Sequence, residues 1–278
     1  MPQVSTLPGL IDRLVDDAAV FPPGSAALDV ALQTHRGYRD TVVEPLVGPL
    51  LLPASAIPEA LALAASDDDL AIGVIADDGL GSLVAARDLL ADQHWLRAVQ
   101  YELRLPPQNL ATGVELTLSA LEFTAPTYLE LPPGPQLLDA LDVLHKDGAE
   151  AAKFRCGPRA GDIPDADTLA SFLHGCAVRG LPFKLTAGLH AALPHVDSET
   201  GARQHGFLNT LAATACALVG GSSTACAAML TVEDPGSLVE MIASCNVVRL
   251  REIYRSFGSC SITEPFDDLR HLDLIASE

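Results

Sequence analysis

The sequence predicts an α/β protein whose strands and helices alternate to close one (β/α)8 TIM barrel. Short apolar segments alternate with longer amphipathic segments, with a repeat of about 25 to 30 residues, as eight βα units require. The length of 278 residues is that of one such barrel. Hydrophobic residues make up 49% of the chain and aromatic residues only 5%. An aliphatic core of this kind is typical of parallel strands covered by helices.

The individual elements follow from the apolar periodicity and from turns such as FPPG, DDG and LPPG. The predicted strands are Ala18–Phe21, Gly48–Leu52, Ala71–Ala76, Leu96–Leu103, Thr127–Leu131, Ala151–Arg155, Phe183–Ala187 and, less clearly marked, Ala227–Val232. The predicted helices between them include Ala26–Tyr38, Ile57–Ala65, Gly81–Gln93, Pro135–Lys146, Asp167–Arg179 and Phe207–Leu218. We predict that residues 246–278 form a helix and a short C-terminal extension, which closes the barrel or contacts another subunit.

The chain is predicted to form a single domain over residues 1–278, because no Pro- or Ser-rich linker divides it. A doubly wound open sheet is the alternative fold, since the same alternation of strands and helices allows it. A homo-oligomer is expected, with a homodimer as the default, because small symmetric assemblies are common.

The strong negative charge restricts the partners of this protein. The formal net charge is −19 and the sequence pI is about 4.6. Such a surface repels phosphate backbones and anionic membranes, so we expect no nucleic acid and no membrane as a partner. We expect a small-molecule substrate. An anionic substrate is compatible with the charge if positive side chains are concentrated at one site.

Cysteine usage and the lack of targeting signals predict a cytoplasmic protein. The six cysteines form no C-x-x-C pair and no zinc-ribbon spacing, so they are interpreted as buried apolar residues in a reducing compartment. The N-terminal segment MPQVSTLPGLIDRL lacks the basic and apolar regions of a signal peptide. No apolar segment is long enough to predict a membrane span.

Lysine is rare in this chain, and its positions are unusual. Lysine and arginine together number 17, yet the only lysines are Lys146, Lys153 and Lys184. Two of these three lie in the apolar strand patterns AAKFRCG and PFKLTAG. Burying an ammonium group is costly unless it is paired or its pKa falls. A lysine can also form a Schiff base, which an arginine cannot.

Side-chain alternation predicts that these lysines belong to one charged cluster. Lys153 and Arg155 share one face of their strand, and Lys184 shares one face of the next strand with Thr186. Glu130 closes the preceding strand and is predicted to point inward as a partner. Because consecutive strands of a barrel are neighbours, we expect the cluster at the carboxyl ends of three adjacent strands, where barrel enzymes carry their chemistry. The alternative is a buried salt-bridge layer without chemistry.

Two lysines at the ends of consecutive strands, each followed by a Gly-containing turn, resemble the class I aldolase barrels, in particular deoxyribose-phosphate aldolase. The resemblance implies that Lys153 forms a Schiff base and that Lys184 lowers the pKa of Lys153. It also implies an acidic proton relay, for which Glu102 and Glu130 are the candidates. The turns FRCGP and LTAGLH differ from the hydroxyl-rich turns of that family. The motifs AVFPPG, AKFRCG, FKLTAGLH, HGFLN and FGSCS together are similar to a bacterial (β/α)8-barrel family of unknown function.

The segment after the seventh strand, LHAALPHVDSETGARQHGFLN, is predicted to bring histidines to the rim. His190 or His205 could exchange protons with a substrate. Asn209, four residues after His205, would share a helical face with it and bind polar substrate atoms. Two imidazoles with Glu130 could instead hold a metal ion, although the spacing matches no standard metal motif. The remaining alternative is that His190, His195 and His205 have structural roles.

Other polar residues complete the candidate site. Arg155 is predicted to bind a carboxylate or phosphate, with Thr186 as a neighbouring substrate-binding residue. Asp16 and Asp17, in DDAAVFPPG, are expected at the opposite rim or as caps of a turn. Residues 259–261, in FGSCS, are expected to form an anion nest or to reach the rim.

The leading hypothesis is a lyase of the aldolase type that acts on a small carbonyl or carboxylate metabolite. Lys153 would attack the carbonyl, Lys184 would keep Lys153 partly deprotonated, and Glu130 or His190 would move protons. Because two close ammonium groups repel each other, the pKa of one lysine is expected to fall toward neutrality. No organic cofactor is predicted.

Two alternatives remain. The first is a metal-assisted lyase or isomerase that holds a divalent ion with His190, His205 and Glu130. The second is a non-catalytic barrel that binds an anionic metabolite through its strand-end cations, Lys153, Arg155 and Lys184.

Overall fold

Eight parallel strands form a closed barrel, which confirms the predicted fold class. The structure, a computed structural model, describes residues 9–64, 69–157, 163–197 and 201–275. The barrel strands are β1 (Val15–Asp17), β2 (Val47–Pro53), β3 (Leu70–Ile75), β4 (Leu96–Arg104), β5 (Thr127–Glu130), β6 (Ala151–Arg155), β7 (Phe183–Thr186) and β10 (Tyr254–Ser259). Consecutive strands pair in order from β1 to β7, and β10 pairs with both β7 and β1.

Helices cover the outside of the barrel. They are α1 (Leu28–Gly37), α2 (Ile57–Leu63), α3 (Gly79–Leu90), α4 (Leu110–Leu118), α5 (Leu137–Asp147), α6 (Ala166–Arg179), α7 (Phe207–Leu218), α8 (Ser223–Met229), α9 (Pro235–Ala243), α10 (Val247–Ile253) and α11 (Thr263–His271). A short antiparallel hairpin of β8 (His195–Val196) and β9 (Arg203–Gln204) lies between β7 and α7. No helix in the described ranges is long and apolar enough to cross a membrane.

Several helix ends follow directly from the sequence. Asp165 accepts a hydrogen bond from the backbone N–H of Thr168 at 2.8 Å, which satisfies a free donor at the start of α6. Gly148 and Gly180 follow α5 and α6 in the left-handed conformation, a common way for a helix to end. These local signals explain why the boundaries of the α5 and α6 predictions lie within two residues of the structure.

An aromatic cluster fixes α6 against the strands that carry the barrel lysines. The rings of Phe154 on β6 and Phe172 on α6 stack with their centroids 4.6 Å apart. Phe183 on β7 contacts both Phe172 and Tyr254 on β10 in edge-to-face geometry. All four side chains are fully buried, so they hold β6, β7 and β10 in fixed relative positions.

A close approach of two backbones joins the ends of β6 and β7. A Cβ added to Gly157 would lie only 2.7 Å from the backbone nitrogen of Gly188. Gly188 also has φ +70°, a conformation that favours glycine. The Gly-containing turns after the two lysine strands therefore allow those strand ends to lie side by side.

The first predicted strand is misplaced by three residues. Ala18–Phe21 lies in a turn, in which the N–H of Phe21 bonds to the carbonyl of Ala18, and the strand is Val15–Asp17. Asp16 and Asp17 were predicted to lie at the opposite rim or to cap a turn, yet both side chains are buried. Asp16 pairs with Lys184 inside the barrel, and this partner, distant in sequence, compensates the cost of burying the carboxylate.

The eighth predicted strand is wrong, and the barrel is instead closed by the C-terminal segment, which is one of the two roles predicted for it. Ala227–Val232 covers the end of α8 and the following turn. The closing strand is β10, and it lies within this C-terminal segment between α10 and α11. Its sequence, YRSFGS, places small polar residues toward the lumen, so it lacks the apolar pattern that identified the other strands.

Candidate active site

Five charged side chains from five strands form one buried charge network in the lumen of the barrel. They are Asp16 on β1, Glu102 on β4, Glu130 on β5, Lys153 on β6 and Lys184 on β7. None is more than 6% exposed. Glu130, Lys153 and Lys184 are register partners on adjacent strands, which places them at the same height. The predicted cluster of Glu130 with the two lysines therefore exists.

Lys184 lies at the centre of this charge network and is completely buried. Its Nζ donates to Oδ2 of Asp16 and, at 2.5 Å, to Oε1 of Glu102. Ser256 and Gln100 also donate to Oδ2 of Asp16, each at 3.0 Å. Burial lowers the pKa of Lys184, but the two carboxylates outweigh it, and the pKa lies above the ordinary lysine value. The expected fall of a lysine pKa toward neutrality therefore does not occur at Lys184.

Lys153 lies between two carboxylates. Its Nζ is 2.6 Å from Oε2 of Glu102 and 2.9 Å from Oε2 of Glu130. Glu102 therefore bridges both lysines, with one oxygen toward each. Burial raises the pKa of Glu102, but Lys153 and Lys184 outweigh that effect and lower it below the ordinary value.

Two arginines extend the charge network toward the mouth of the barrel. Nε of Arg155 lies 3.2 Å from Oε1 of Glu130. Nε of Arg104 lies 3.8 Å from the same oxygen. Both arginine side chains are partly exposed, at 29% and 46%. Arg155 and Thr186 are register partners, two residues beyond the lysines toward the carboxyl ends. The mouth thus carries two partly exposed cations, although the chain as a whole is acidic.

Glu130 makes a pH-dependent contribution to stability. Burial raises its pKa, but Lys153 and Arg155 outweigh burial and lower the pKa from 4.5 to about 2. A carboxyl group with a lowered pKa stabilises the fold above its unfolded pKa and loses this contribution as pH falls toward the folded pKa. Protonation of Glu130 is therefore expected to lower the free energy of unfolding by roughly 3 kcal/mol between pH 5 and pH 2.

Urea unfolding at pH 5, 4, 3 and 2 would measure this contribution. The Glu130→Gln variant is expected to be less stable at pH 5 and to show a shallower pH dependence over that range. An equally steep dependence in the variant and in the unchanged protein would contradict the role assigned to Glu130.

His190 lies at the rim just after β7. Its Nδ1 is 2.9 Å from Oε2 of Glu264 and 3.5 Å from Oγ of Ser259, and its Nε2 is 4.0 Å from Sγ of Cys260. The contact with Cys260 raises the pKa of His190, burial opposes it, and Glu264 raises it further. His190 therefore reaches the rim as predicted, with partners from β10 and α11.

His205 and Asn209 make contacts to the backbone. Nε2 of His205 is 2.7 Å from the carbonyl oxygen of Pro164, and burial lowers the pKa of His205. Asn209 is fully buried and donates to the carbonyls of Met229 and Val232, each at 2.8 Å. These contacts connect α7 to its surroundings and leave His205 and Asn209 separate from the charge network.

The candidate metal set of His190, His205 and Glu130 is not brought together. Over the ranges that the structure describes, no group of three or more His, Cys, Asp or Glu side chains has an arrangement that could hold a metal ion. Glu130 instead contacts Lys153 and Arg155. His190 contacts Glu264, and His205 contacts the carbonyl of Pro164.

Asp16 and Glu102 are the residues that the sequence interpretation underestimated. Asp16 was expected at the opposite rim or in a turn, but it lies in the lumen and pairs with Lys184. The residue that caps a turn is Asp17, which accepts a hydrogen bond from the N–H of Ala19 and also pairs with His35. Glu102 entered only through the resemblance to aldolases. A sequence signal for it existed, because Gln100, Glu102 and Arg104 alternate with the apolar residues Tyr101 and Leu103 along the strand.

Two surface depressions lie away from the charge network. One, of about 260 Å³, is lined by Gly9, Val247, Val248, Arg251, Glu252 and Arg255. The other, of about 430 Å³, is lined by Glu115, Leu118, Ser119, Val143, Lys146 and Asp147. The first lies along α10 and the start of β10, the second lies between α4 and α5, and neither is lined by a residue of the charge network. Neither depression is lined by a set of buried charged side chains comparable to the network in the lumen.

The fold and the buried charges define a (β/α)8 barrel with a lysine–carboxylate network in its lumen and arginines at its mouth. Comparison of the chain with protein-family models, with curated protein sequences and with solved structures gave no match. The function must therefore be inferred from the site itself.

Proposed function

We propose that this protein is a lyase of the aldolase type that forms a Schiff base between Lys153 and a small carbonyl metabolite. The main support is that two buried lysines on adjacent strands share one carboxylate, that of Glu102. They lie two residues below the carboxyl ends of their strands, near the mouth where (β/α)8 enzymes bind substrates.

The free-energy cost of burying these five charged side chains supports a functional role for them. Replacing a buried ion cluster with apolar side chains of similar volume is often neutral or stabilising. A barrel interior filled by branched aliphatic residues would serve the fold equally well. The retention of five buried charges therefore favours chemistry over stability as the reason for their presence.

The two lysines would have different roles. Lys184 stays protonated because Asp16 and Glu102 raise its pKa. Lys184 therefore has the role of the fixed positive charge, and Lys153, which contacts the Glu130 carboxylate shared with Arg155 near the mouth, has the role of the nucleophile. This division agrees with the resemblance to class I aldolases, in which the sixth-strand lysine is the nucleophile.

The reaction would then proceed in balanced steps. The neutral amine of Lys153 adds to the carbonyl carbon, and loss of water gives a protonated imine. The protonated imine accepts the electron pair released when the bond between the substrate's α and β carbons breaks. A carboxylate takes the proton of the β-hydroxyl group, the β carbon leaves as an aldehyde, and an enamine remains on Lys153. Protonation of the α carbon and addition of water to the imine then release the second product and restore the amine. Glu102 and Glu130, which both lie within 3 Å of Nζ, would carry the protons.

The arginines at the mouth indicate the substrate class. Arg155 directs Nε to Glu130, and a guanidinium has further N–H donors on its Nη atoms. Together with Arg104 and Thr186, these donors would bind a carboxylate or phosphate at the far end of the substrate. His190, at the rim, would exchange protons with the part of the substrate in the mouth. The proposed substrate is therefore a small anionic aldehyde or ketone.

Borohydride trapping tests this function directly, because the chain contains only three lysines. The protein would be treated with small aldehydes and ketoacids and with sodium borohydride, and the adducts located by peptide mapping. We expect a carbonyl-dependent adduct on Lys153. The Lys146→Arg variant, altered at an exposed lysine, should give the same adduct.

Other outcomes would overturn the proposal. Labelling confined to Lys146 and the chain's α-amino group across the panel would contradict Schiff-base chemistry in the barrel. Stabilisation by an anionic metabolite without an adduct or turnover would favour the alternative of a non-catalytic anion-binding barrel.

A further inference from the structure

A cysteine, a histidine and a glutamate are linked by side-chain contacts at the rim of the barrel, outside the charge network. Sγ of Cys260 is 4.0 Å from Nε2 of His190, and Nδ1 of His190 is 2.9 Å from Oε2 of Glu264. Each nitrogen of the imidazole thus has its own partner, the thiol on one side and the carboxylate on the other. This is the arrangement of an activated nucleophile: a nucleophilic atom, a base, and an acidic group that orients the base.

Three separate elements bring this triad together. His190 follows β7, Cys260 follows β10, and Glu264 lies in the first turn of α11. The N–H of Glu264 donates to Oγ of Ser261 at 3.2 Å, which fixes the start of that helix beside Cys260. A Cβ on Gly24 would lie 3.0 Å from Cβ of Cys260, so the FPPG turn also packs closely on this cysteine.

The environment of Cys260 differs from that of the other cysteines. Cys156, Cys176, Cys216 and Cys226 are buried, and Cys245 and Cys260 are the two partly exposed thiols. Burial raises the pKa of Cys245, which disfavours its reactive thiolate. Cys260 instead lies beside an imidazole that can take its proton, and that imidazole is held by a carboxylate.

We propose that Cys260 is a second nucleophile of this barrel and adds reversibly to the carbonyl carbon of a small aldehyde. The thiol proton passes to Nε2 of His190, and the sulfur forms a bond to the carbonyl carbon. His190 then returns the proton to the carbonyl oxygen, which gives a thiohemiacetal. No leaving group or further reactant is required. Glu264 is a positioning residue, because it orients the imidazole and stabilises its protonated form.

The aldehyde class follows from the location as well as from the chemistry. Ser259, the residue before Cys260, ends β10, and Gly258 is the register partner of Thr186 on β7. Cys260 therefore lies at the mouth shared with the cations, where a small polar carbonyl compound can enter. This addition uses none of the lysines, so it can hold or fail independently of the proposed lyase activity.

Competitive alkylation of the folded protein tests the activation of the thiol. With limiting iodoacetamide at pH 7 and peptide mapping, Cys260 is expected to react at least about tenfold faster than Cys245, its matched internal control. His190→Gln should reduce the Cys260 rate to near that of Cys245, and Glu264→Gln should reduce it less. The four buried cysteines should stay unlabelled in each variant, which shows that the fold is intact. Equal rates for Cys260 and Cys245, or a Cys260 rate unaffected by His190→Gln, would overturn the activation.

Carbon-13 NMR with labelled acetaldehyde tests the adduct itself. We expect a thiohemiacetal resonance in the full-length protein that persists in Cys245→Ser and in Lys153→Met but disappears in Cys260→Ser. A resonance that survives in Cys260→Ser, or none in the unchanged protein, would contradict the proposal. Borohydride trapping on Lys153 should be retained in Cys260→Ser, so the failure of one proposal can be distinguished from failure of the other.

Discussion

Replacement of Lys184 by methionine is expected to lower the free energy of unfolding by about 3–5 kcal/mol at neutral pH. Lys184 is fully buried between Asp16 and Glu102, and both carboxylates would lose their closest cation. Of the five buried charges, the three carboxylates would then face Lys153 alone, which leaves one more uncompensated negative charge in the lumen than in the unchanged protein. Urea unfolding, followed by circular dichroism, would measure the loss.

A second substitution separates charge imbalance from a packing defect. Asp16→Asn in the Lys184→Met background restores charge balance while Gln100 and Ser256 remain beside residue 16. We expect the double variant to be more stable than Lys184→Met alone, with non-additive effects of the two changes. Lys146→Met, on the exposed surface, should change stability by less than about 0.5 kcal/mol. Simple additivity of the two buried substitutions would contradict the coupling of Lys184 to Asp16.

Lys153→Met is expected to abolish the carbonyl adduct in the barrel and to reduce turnover on the order of 10³-fold or more. The reason is that the nucleophilic nitrogen is removed, whereas Lys184 remains charged and cannot replace it. The measurement is the turnover of the carbonyl compound identified by trapping, together with peptide mapping after borohydride reduction.

The matched comparison is Lys184→Arg, which keeps a positive charge on the neighbouring strand. This variant should retain an adduct on Lys153, although its rate is expected to fall because the guanidinium differs in shape from an ammonium. An adduct that moves to Lys184 in Lys153→Met, with turnover preserved, would reverse the assigned roles. Turnover unchanged in both variants would remove the lysines from the chemistry.

Much of the fold was predictable because its signals are local. Apolar segments, two of them followed by the turns DDG and LPPG, located six of the barrel strands, and β6 agrees at both ends with the predicted Ala151–Arg155. The same alternation placed Lys153 and Arg155 on one face, and the neighbouring position of consecutive strands placed Glu130 beside them. These inferences need only the period of a strand and the order of strands in a barrel.

The closure of the barrel depended on contacts between distant parts of the chain. The N–H of Phe257 on β10 bonds to the carbonyl of Leu14, and β10 pairs with both β1 and β7. In isolation YRSFGS resembles a turn, because its inward-facing positions carry small or polar residues that pack against other lumen groups. Its strand identity is fixed by its two neighbouring strands.

The sequence by itself determined the barrel class, the two unusual lysines and the pairing of Lys153 with Glu130. Tertiary structure alone decided that Asp16, 168 residues from Lys184 along the chain, would neutralise it, and that Glu102 would bridge both lysines. It also decided that His190, Cys260 and Glu264 meet at the rim. The physical reason is that side-chain periodicity is a local property, whereas the compensation of a buried charge depends on which distant strands the closed barrel brings within hydrogen-bonding distance.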